Sequence, residues 1–184
     1  MTKTSDAQIV EAARRIIVEQ GAEALTQRAV AAAVGVKAPS LYKRFRDKAA
    51  LLRAVRKEAL SDLETRLRAA SEGQKPAPAM LRMAKAFRAF AAERPDIYRL
   101  VFDPALQLED RAPERQALFA PIEAALAPLV GAGQSASAAH SALSLLHGFV
   151  RLEIDGAAPT AGPHDEAFRF AVYALLQGMA RRAG

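Results

Sequence analysis

The residues whose chemistry stands out lie between Thr26 and Lys48, where cationic side chains are concentrated. This stretch of 23 residues holds six cations and a single carboxylate, a local excess of five positive charges. The cations are Arg28, Lys37, Lys43, Arg44, Arg46 and Lys48, and the carboxylate is Asp47. Such an excess indicates an anionic partner, either nucleic acid or an acidic surface. It is equally typical of a solvated face on a basic protein, and charge alone leaves both interpretations open.

The residue types and motifs of the chain give little support to catalysis or to metal binding. The chain has no cysteine, which excludes a disulfide framework, a thiolate metal site and a cysteine nucleophile. Its three histidines are scattered, and the sequence has no His-Glu-x-x-His, no phosphate-binding glycine loop and no Gly-x-Ser-x-Gly. His140 and His147 share one predicted helix but have no nearby carboxylate to complete a metal site. We therefore expect no enzyme, no cofactor and no metal.

The elements that must position the cations are predicted to be helices. Alanine accounts for 43 of the 184 residues, and no stretch alternates polar and apolar residues as a strand would. Glycine and proline clusters divide the chain into nine helical segments and leave connections at 104–113 and 156–163. The segments span about residues 5–20, 27–34, 39–45, 47–70, 79–93, 96–102, 114–130, 136–155 and 165–182. The predicted fold class is all-α, with about nine helices.

The composition also bears on where the protein works. Hydrophobic residues make up 51% of the chain and charged residues 25%. The longest apolar runs fall well short of the roughly 18 residues that a membrane span requires. The first residues are polar and lack the apolar core of a signal peptide. We expect a cytoplasmic protein that does not interact with a membrane.

Residues 25–45 read as a helix, a tight turn at Gly35 and a second helix. Apolar residues would form the inner side of this hairpin: Val30, Val34, Val36, Leu41 and Phe45. The outward side would carry Lys37, Ala38, Ser40, Tyr42, Lys43 and Arg44. In a helix-turn-helix the second helix enters the major groove while the first crosses the backbone. Helix, glycine and helix with basic residues also occur in other helical hairpins, so this pattern alone is weak.

The longer motif from Leu25 to Leu51 is more specific than the hairpin pattern. It consists of segments that follow one another at fixed spacing: Leu25-Thr26, then Ala33-Val34-Gly35-Val36, then Ser40-Leu41-Tyr42-Lys43-Arg44-Phe45 and Arg46-Asp47-Lys48-Ala49-Ala50-Leu51. The region from about residue 8 to 53 resembles, without a gap, the DNA-binding domain of TetR-family transcriptional regulators. The resemblance implies a three-helix DNA-binding domain over 1–50. A ligand-sensing and dimerisation domain would follow over 51–184.

The resemblance also implies roles for individual residues. Thr26 matches a position where a hydroxyl and an amide meet phosphate, and a plain helix cap is its alternative role. Tyr42 and Lys48 match phosphate contacts, with a packing aromatic and a solvated lysine as the alternatives. Lys43 matches a position often filled by a polar or basic phosphate contact, while Arg44 is a candidate only because it lies on the outward side of the second helix. The positions used variably for bases are occupied by Arg28, Lys37, Ala38, Pro39 and Ser40.

Beyond residue 54 the family has no shared motif, but one string stands out. Leu145–Glu153 is similar to the Trp-His-Gly segment of one subgroup, with Leu146 in place of the tryptophan. The last two helices resemble the pair that forms a four-helix bundle across a two-fold axis. The expected dimer residues are Leu145, Phe149, Leu152, Phe168, Val172, Leu175, Leu176 and Met179. Alternatively, these residues cover one another within one subunit.

A ligand pocket implied by the resemblance should be mainly apolar. The candidate lining residues are Phe87, Phe90, Tyr98, Phe102, Phe119 and His147. Aromatic residues at helical spacing are also typical of an ordinary core, and His147 is also typical of a hydrogen-bonded interior histidine. The sequence does not identify the ligand.

The function expected from the resemblance is a homodimeric repressor that leaves a palindromic double-stranded DNA operator when a small apolar or amphipathic molecule binds. The ligand would change the separation of the two DNA-binding units, with the fourth helix as the lever. The competing hypotheses are an enzyme, which the residues disfavour, and a nucleic-acid-binding or partner-binding module without a sensor. The roughly 130 residues beyond the DNA-binding region argue against the last.

Overall fold

A computed structural model describes residues 4–107, 113–157 and 164–182, and within these ranges the regular structure is helical with no strand. The all-α prediction is confirmed, and each of the nine predicted helices is present. The helices are α1 (Asp6–Gln20), α2 (Gln27–Ala33), α3 (Ala38–Tyr42), α4 (Lys48–Ser71), α5 (Pro76–Glu93), α6 (Pro95–Val101), α7 (Pro104–Gln107), α8 (Pro113–Val130), α9 (Ala132–Ile154) and α10 (His164–Arg182). The single-turn α7 occupies part of the predicted connection 104–113. The rest of that connection, and most of the connection 156–163, lie outside the described residues.

Three helix starts are fixed by side-chain caps. The Ser5 hydroxyl accepts from the Gln8 backbone amide, and the Ser5 backbone amide donates to Gln8 Oε1, which completes a capping box at α1. The Thr26 hydroxyl accepts from the Ala29 amide at 3.0 Å, and Asp47 Oδ1 accepts from the Ala50 amide at 2.7 Å. Because each cap satisfies an amide that the helix cannot, it fixes where the helix begins.

Two helices begin earlier than the prediction placed them. α5 starts at Pro76 rather than near Ala79, because proline is tolerated in the first turn, where its missing N–H would have no partner. α9 starts at Ala132 rather than near Ala136. Gly131 turns the chain with a positive φ of 78°, and the glycine that follows in the helix costs only about 1 kcal/mol relative to alanine. Pro121 and Pro128 lie inside one continuous α8.

Contacts between elements divide the chain into two compact units. One comprises Met1–Leu60 with Arg94–Arg111, so far as these residues are described. In it α1 packs on α2, on a short 3₁₀ turn at Ala22–Ala24 and on α6, while α2 packs on α3. The core of this unit includes Ile9, Ala13, Ile17, Leu25, Val30, Leu41, Val55 and Tyr98. Arg56 of α4 is buried as well, and its Nε donates to the Val101 carbonyl at the end of α6.

The second unit comprises Ser61–Glu93 with Ala112–Gly184, within the described residues. α8 and α9 pack together along their lengths, and α5 contacts α8, α9 and α10. Arg88 of α5 connects three helices of this unit. Its guanidinium donates to both carboxylate oxygens of Glu153 at 2.7 and 2.9 Å and to Asp165 at 2.6 Å. Among the described helices none is long and apolar enough to cross a bilayer.

Candidate nucleic-acid interface

The turn between α2 and α3 has the geometry that the sequence predicts. Gly35 adopts a φ of 68°, a left-handed conformation that favours glycine. The Val36 amide closes the turn on the Ala31 carbonyl at 3.0 Å. The predicted inner side is confirmed, since Val30 and Leu41 are buried while Val34, Val36 and Phe45 are half-buried. The hairpin therefore holds the short α3 on an apolar base.

The face of α3 that remains open carries most of the predicted contact residues. Lys37, Pro39, Ser40, Tyr42 and Lys43 are exposed, and Ala38 is half-buried. Arg28 and Thr26 are exposed at the start of α2. Tyr42 is a large aromatic residue with 53% of its surface accessible. Ammonium, guanidinium and hydroxyl donors on one exposed surface are the groups that contact phosphates and base edges.

Two of the predicted DNA contacts are occupied within the chain. The Arg44 guanidinium donates through Nε to Asp6 and through Nη1 to the Thr4 carbonyl, and it also forms an ion pair with Asp6. Lys48 Nζ lies 3.6 Å from the Glu23 carboxylate and 3.5 Å from its carbonyl oxygen. Both side chains retain partial exposure, so these interactions would compete with a phosphate for the same donors.

Two further residues of this region were not among the predicted contacts. Arg46 has 91% of its side chain exposed, and its Nε lies 3.7 Å from Asp47. Gln27 is buried although it is polar, and its Nε2 donates to the Phe45 carbonyl at 2.6 Å. Arg46 was visible in the charge count, whereas no local pattern marks Gln27 as buried.

The aromatic residues proposed for a ligand pocket are divided between the two compact units. Tyr98 and Phe102 contact each other, with ring centroids 4.8 Å apart, in the unit that contains α1–α3. Phe87, Phe90, Phe119 and His147 belong to the other unit. Phe87, Phe90 and Tyr98 are fully buried in core packing. Phe119 stacks parallel to His140, with centroids 6.1 Å apart.

Two grooves open elsewhere in the unit formed by α5 and α8–α10. A groove of about 620 Å³ lies along α9 and α10, with Ser137, Ser141, Ala174, Gly178 and Met179 among its lining residues. A second, of about 670 Å³, lies where the end of α4, the start of α5 and α8 meet. Its lining combines Ala69, Ala79, Ala124, Pro121 and Pro128 with a polar rim that includes Arg68 and Glu72. Neither lining contains any of the six predicted pocket residues.

The predicted dimer residues divide into buried and accessible groups. Phe168, Val172 and Leu176 are buried within the chain, and Phe168 packs edge-on against Phe149. These three side chains are covered by other residues of the same subunit. Leu152 is exposed, and Leu145, Phe149, Leu175 and Met179 are half-buried. The accessible aromatics of α10 are Phe170, which is 73% exposed, and Tyr173, and neither was predicted.

His147 lies half-buried on α9, one turn before Arg151. Burial lowers the pKa of His147 from its ordinary value, and the positive charge of Arg151 lowers it further. Both effects disfavour the imidazolium form. The ring is therefore mainly neutral near pH 7, which is compatible with either of its predicted roles.

Parts of this chain match known protein families, and nearly all of it matches a known protein. Residues 9–55 match the model of the bacterial regulatory proteins of the tetR family, and residues 80–175 match a tetracyclin repressor-like C-terminal domain. An uncharacterised helix-turn-helix transcriptional regulator of Mycobacterium tuberculosis, Rv0681, is 35% identical over 98% of this chain and 84% of its own length.

Solved structures share the fold at lower identity. BioQ of Mycobacterium smegmatis superposes with a TM-score of 0.74 at 22% identity, covering 98% of this chain and 99% of its own. A TetR variant of Acinetobacter baumannii in complex with minocycline gives a TM-score of 0.75 at 22% identity, with 99% of each chain covered. Both domain matches and the full-length relative lead to one conclusion: the chain belongs to the TetR family of DNA-binding transcriptional regulators.

Proposed function

We propose that the protein is a homodimeric repressor that binds a palindromic operator through α3 and releases it when a small apolar or amphipathic molecule binds. The observation that carries the proposal is the exposed row of donors on α3 and α2, set on an apolar base, in a chain of this family. The proposed contacts are Thr26, Arg28, Lys37, Ala38, Pro39, Ser40, Tyr42, Lys43, Arg44 and Lys48.

Selection of duplexes from a random DNA library by the full-length protein tests the DNA-binding part. Enriched duplexes should share a motif with two-fold symmetry, because two identical subunits present two copies of α3. Lys37→Ala and Lys43→Ala should each weaken binding to the enriched duplex. Lys85→Ala, which changes an exposed lysine of α5, serves as the matched control. Failure to enrich any duplex would contradict the proposal.

The dimer is proposed to form through the accessible stripes of α9 and α10 rather than through the buried residues. The α9 stripe contains Gln134, Ser137, Ser141, Ser144, Gly148 and Leu152, and the α10 stripe contains Ala167, Phe170, Ala174 and Gly178. These stripes carry no charged side chain. A Cβ placed at Gly148 or Gly178 would meet nothing within 4 Å in this chain. Packing within one subunit therefore does not require these two helical glycines, whereas close approach of a second copy would.

The role of the α9 and α10 stripes in the dimer can be tested by introducing one charged residue. Gly178→Glu should convert the dimer to a monomer, because the carboxylate would be buried unpaired against the second copy. Ala180→Glu introduces the same charge two residues along α10, at an exposed position away from the groove, and should leave the dimer intact. Analytical ultracentrifugation of both variants measures the result. A Gly178→Glu protein that remains dimeric would place the interface elsewhere.

The effector is proposed to bind the groove at the end of α4. Its volume of about 670 Å³ is within the usual range for small-molecule sites, and its alanine and proline lining suits an apolar or amphipathic body. α4 contributes Thr65, Arg68, Ala69 and Ser71 to the lining, and Glu72 follows directly after the helix. Since α4 is one helix from Lys48 to Ser71, a ligand that shifts its end would act on the proposed lever. Repression is relieved only if the ligand binds the released state more tightly than the DNA-bound state.

A thermal-shift screen of a small-molecule library, followed by release of the selected duplex, tests the effector proposal. Ala124→Trp should fill the groove and abolish the thermal shift while leaving DNA affinity unchanged. Ala136→Trp changes an exposed alanine of α9 that lies outside both grooves and should respond to the same compounds as the unaltered protein. A compound that still releases DNA from Ala124→Trp would place the effector site elsewhere.

A further inference from the structure

The recognition helix α3 is only five residues long, and its own hydrogen bonds cannot hold it firmly. It is followed by a turn in which the Arg44 and Phe45 amides both donate to the Leu41 carbonyl. An isolated helix of this length has no stability in water. The end of α3 must therefore be held by groups outside it, and the structure shows two such groups.

The first group is the buried amide of Gln27. Gln27 is the first residue of α2, has 7% of its surface accessible, and donates from Nε2 to the Phe45 carbonyl at 2.6 Å. Its Oε1 is also buried, and it accepts no hydrogen bond from the described residues. Burying a polar atom in this way is unfavourable for folding. A leucine or methionine would avoid that cost, so the hydrogen bond to Phe45 is the feature that distinguishes glutamine here.

The second group is the start of α1, which engages Arg44. The guanidinium contacts the Asp6 carboxylate through Nε and Nη2 and the Thr4 carbonyl through Nη1. Asp6 and Thr4 flank Ser5, which caps α1 through a capping box. A fork-shaped guanidinium with partners at several of its nitrogens has a defined orientation. Arg44 thus ties the turn that follows α3 to the well-capped start of another helix.

We propose that Gln27 and the Arg44–Asp6 pair are positioning residues for DNA recognition, which hold the end of α3 at the orientation required to read bases. This proposal rests on the proposed DNA-binding function. It assigns Arg44 a role within the protein in place of the direct DNA contact proposed for it.

The two roles of Arg44 predict opposite effects of Asp6→Asn. If Arg44 contacts phosphate, removing the Asp6 charge frees the guanidinium and removes a repulsive anion, so DNA affinity should rise. If Arg44 positions α3, the same change loosens the end of the helix. Affinity for the selected duplex should then fall by about fivefold to tenfold, with less than about a twofold change on a shuffled duplex, because base readout depends on orientation more than phosphate contact does.

The experiment measures fluorescence anisotropy on a duplex enriched by the unaltered protein and on a shuffled duplex of the same base composition. Asp6→Asn is compared with Glu11→Gln, which removes the same charge from α1 and breaks the local pair with Arg14. Gln27→Met removes the other tether while placing an unbranched apolar side chain of similar length there, and it should show the same selective loss. Circular dichroism melting confirms that each variant is folded at the assay temperature.

The outcomes separate the proposal from the function it rests on. If the unaltered protein enriches no duplex, the DNA-binding proposal fails before any variant is tested. If Asp6→Asn binds the selected duplex as tightly as the unaltered protein, or more tightly, Arg44 is not a positioning residue. An equal loss on both duplexes would also overturn the proposal, since it would show a general effect on the folded protein. A selective loss in Asp6→Asn and Gln27→Met, but not in Glu11→Gln, supports it.

Discussion

At the residue scale, Tyr42 presents a phenol at the end of α3 with half of its surface open. Its proposed partner is a phosphate, which positions the protein without reading sequence. Tyr42→Phe removes one hydrogen bond and keeps the ring. We expect binding to weaken by about threefold to tenfold, equally on selected and shuffled duplexes, as measured by anisotropy. Tyr173→Phe, at an exposed tyrosine of α10, is the matched control. A loss confined to the selected duplex would instead assign Tyr42 to a base.

His147 supplies a second prediction at this scale, since burial and Arg151 lower its pKa in the folded protein. The unfolded chain therefore binds a proton more readily than the folded chain over the window below about pH 6.5. The contribution of His147 to stability is fully present above that pH and is lost as the pH falls through the folded-state pKa. Melting temperatures from pH 7.5 to 5 should fall less steeply in His147→Gln than in the unaltered protein. His164→Gln is the control, and equal slopes in the three proteins would contradict the assignment.

At the scale of elements, Arg88 determines how α5, α9 and α10 are held together. It pairs with Glu153 near the end of α9 and Asp165 near the start of α10, and its guanidinium also lies over the Phe149 and Phe168 rings. Hydrogen bonding to Glu153 raises the pKa of Arg88. The charge is therefore part of the packing of these helices rather than a solvated surface group.

Arg88→Met should lower the free energy of unfolding by about 1–3 kcal/mol, because it leaves the half-buried Glu153 carboxylate without its charged donor. Arg68→Met removes a more exposed pair with Glu64 one turn away on the same helix and should cost less than about 0.5 kcal/mol. Urea unfolding followed by circular dichroism measures both changes. Similar losses in the two variants would mean that Arg88 contributes no more than a surface ion pair.

At the scale of the whole molecule, the charge of the DNA-binding surface sets the salt dependence of binding. Arg28, Lys37 and Lys43 are exposed, Arg46 is almost fully accessible, and Arg44 and Lys48 have partners within the chain. Three or four cations per subunit would neutralise roughly six to eight phosphates in a dimer, so log K against log salt should have a slope of about −5 to −7. Anisotropy on the selected duplex across a salt series measures it. A slope shallower than about −2 would contradict binding by two subunits.

Several features of this structure depend on residues that are close together in the sequence, and the sequence predicts those features well. The caps at Ser5, Thr26 and Asp47 and the positive φ of Gly35 depend on residues within a few positions of one another. The starts of α1, α2 and α4 and the exposed face of α3 follow from these local signals and from hydrophobic spacing. The family resemblance depends on the same short stretch.

Other features depend on packing between distant segments, which the sequence does not specify. Only the tertiary structure shows Gln27 buried against Phe45 and Arg44 engaged by Asp6, because these contacts span 18 and 38 residues. It also buries Phe168, Val172 and Leu176 and leaves Phe170 exposed. α10 has apolar residues on more than one side, so its composition alone could not select the buried face. The choice of face is made by α5, α8 and α9, which pack against α10 and remove from water the apolar residues that they contact.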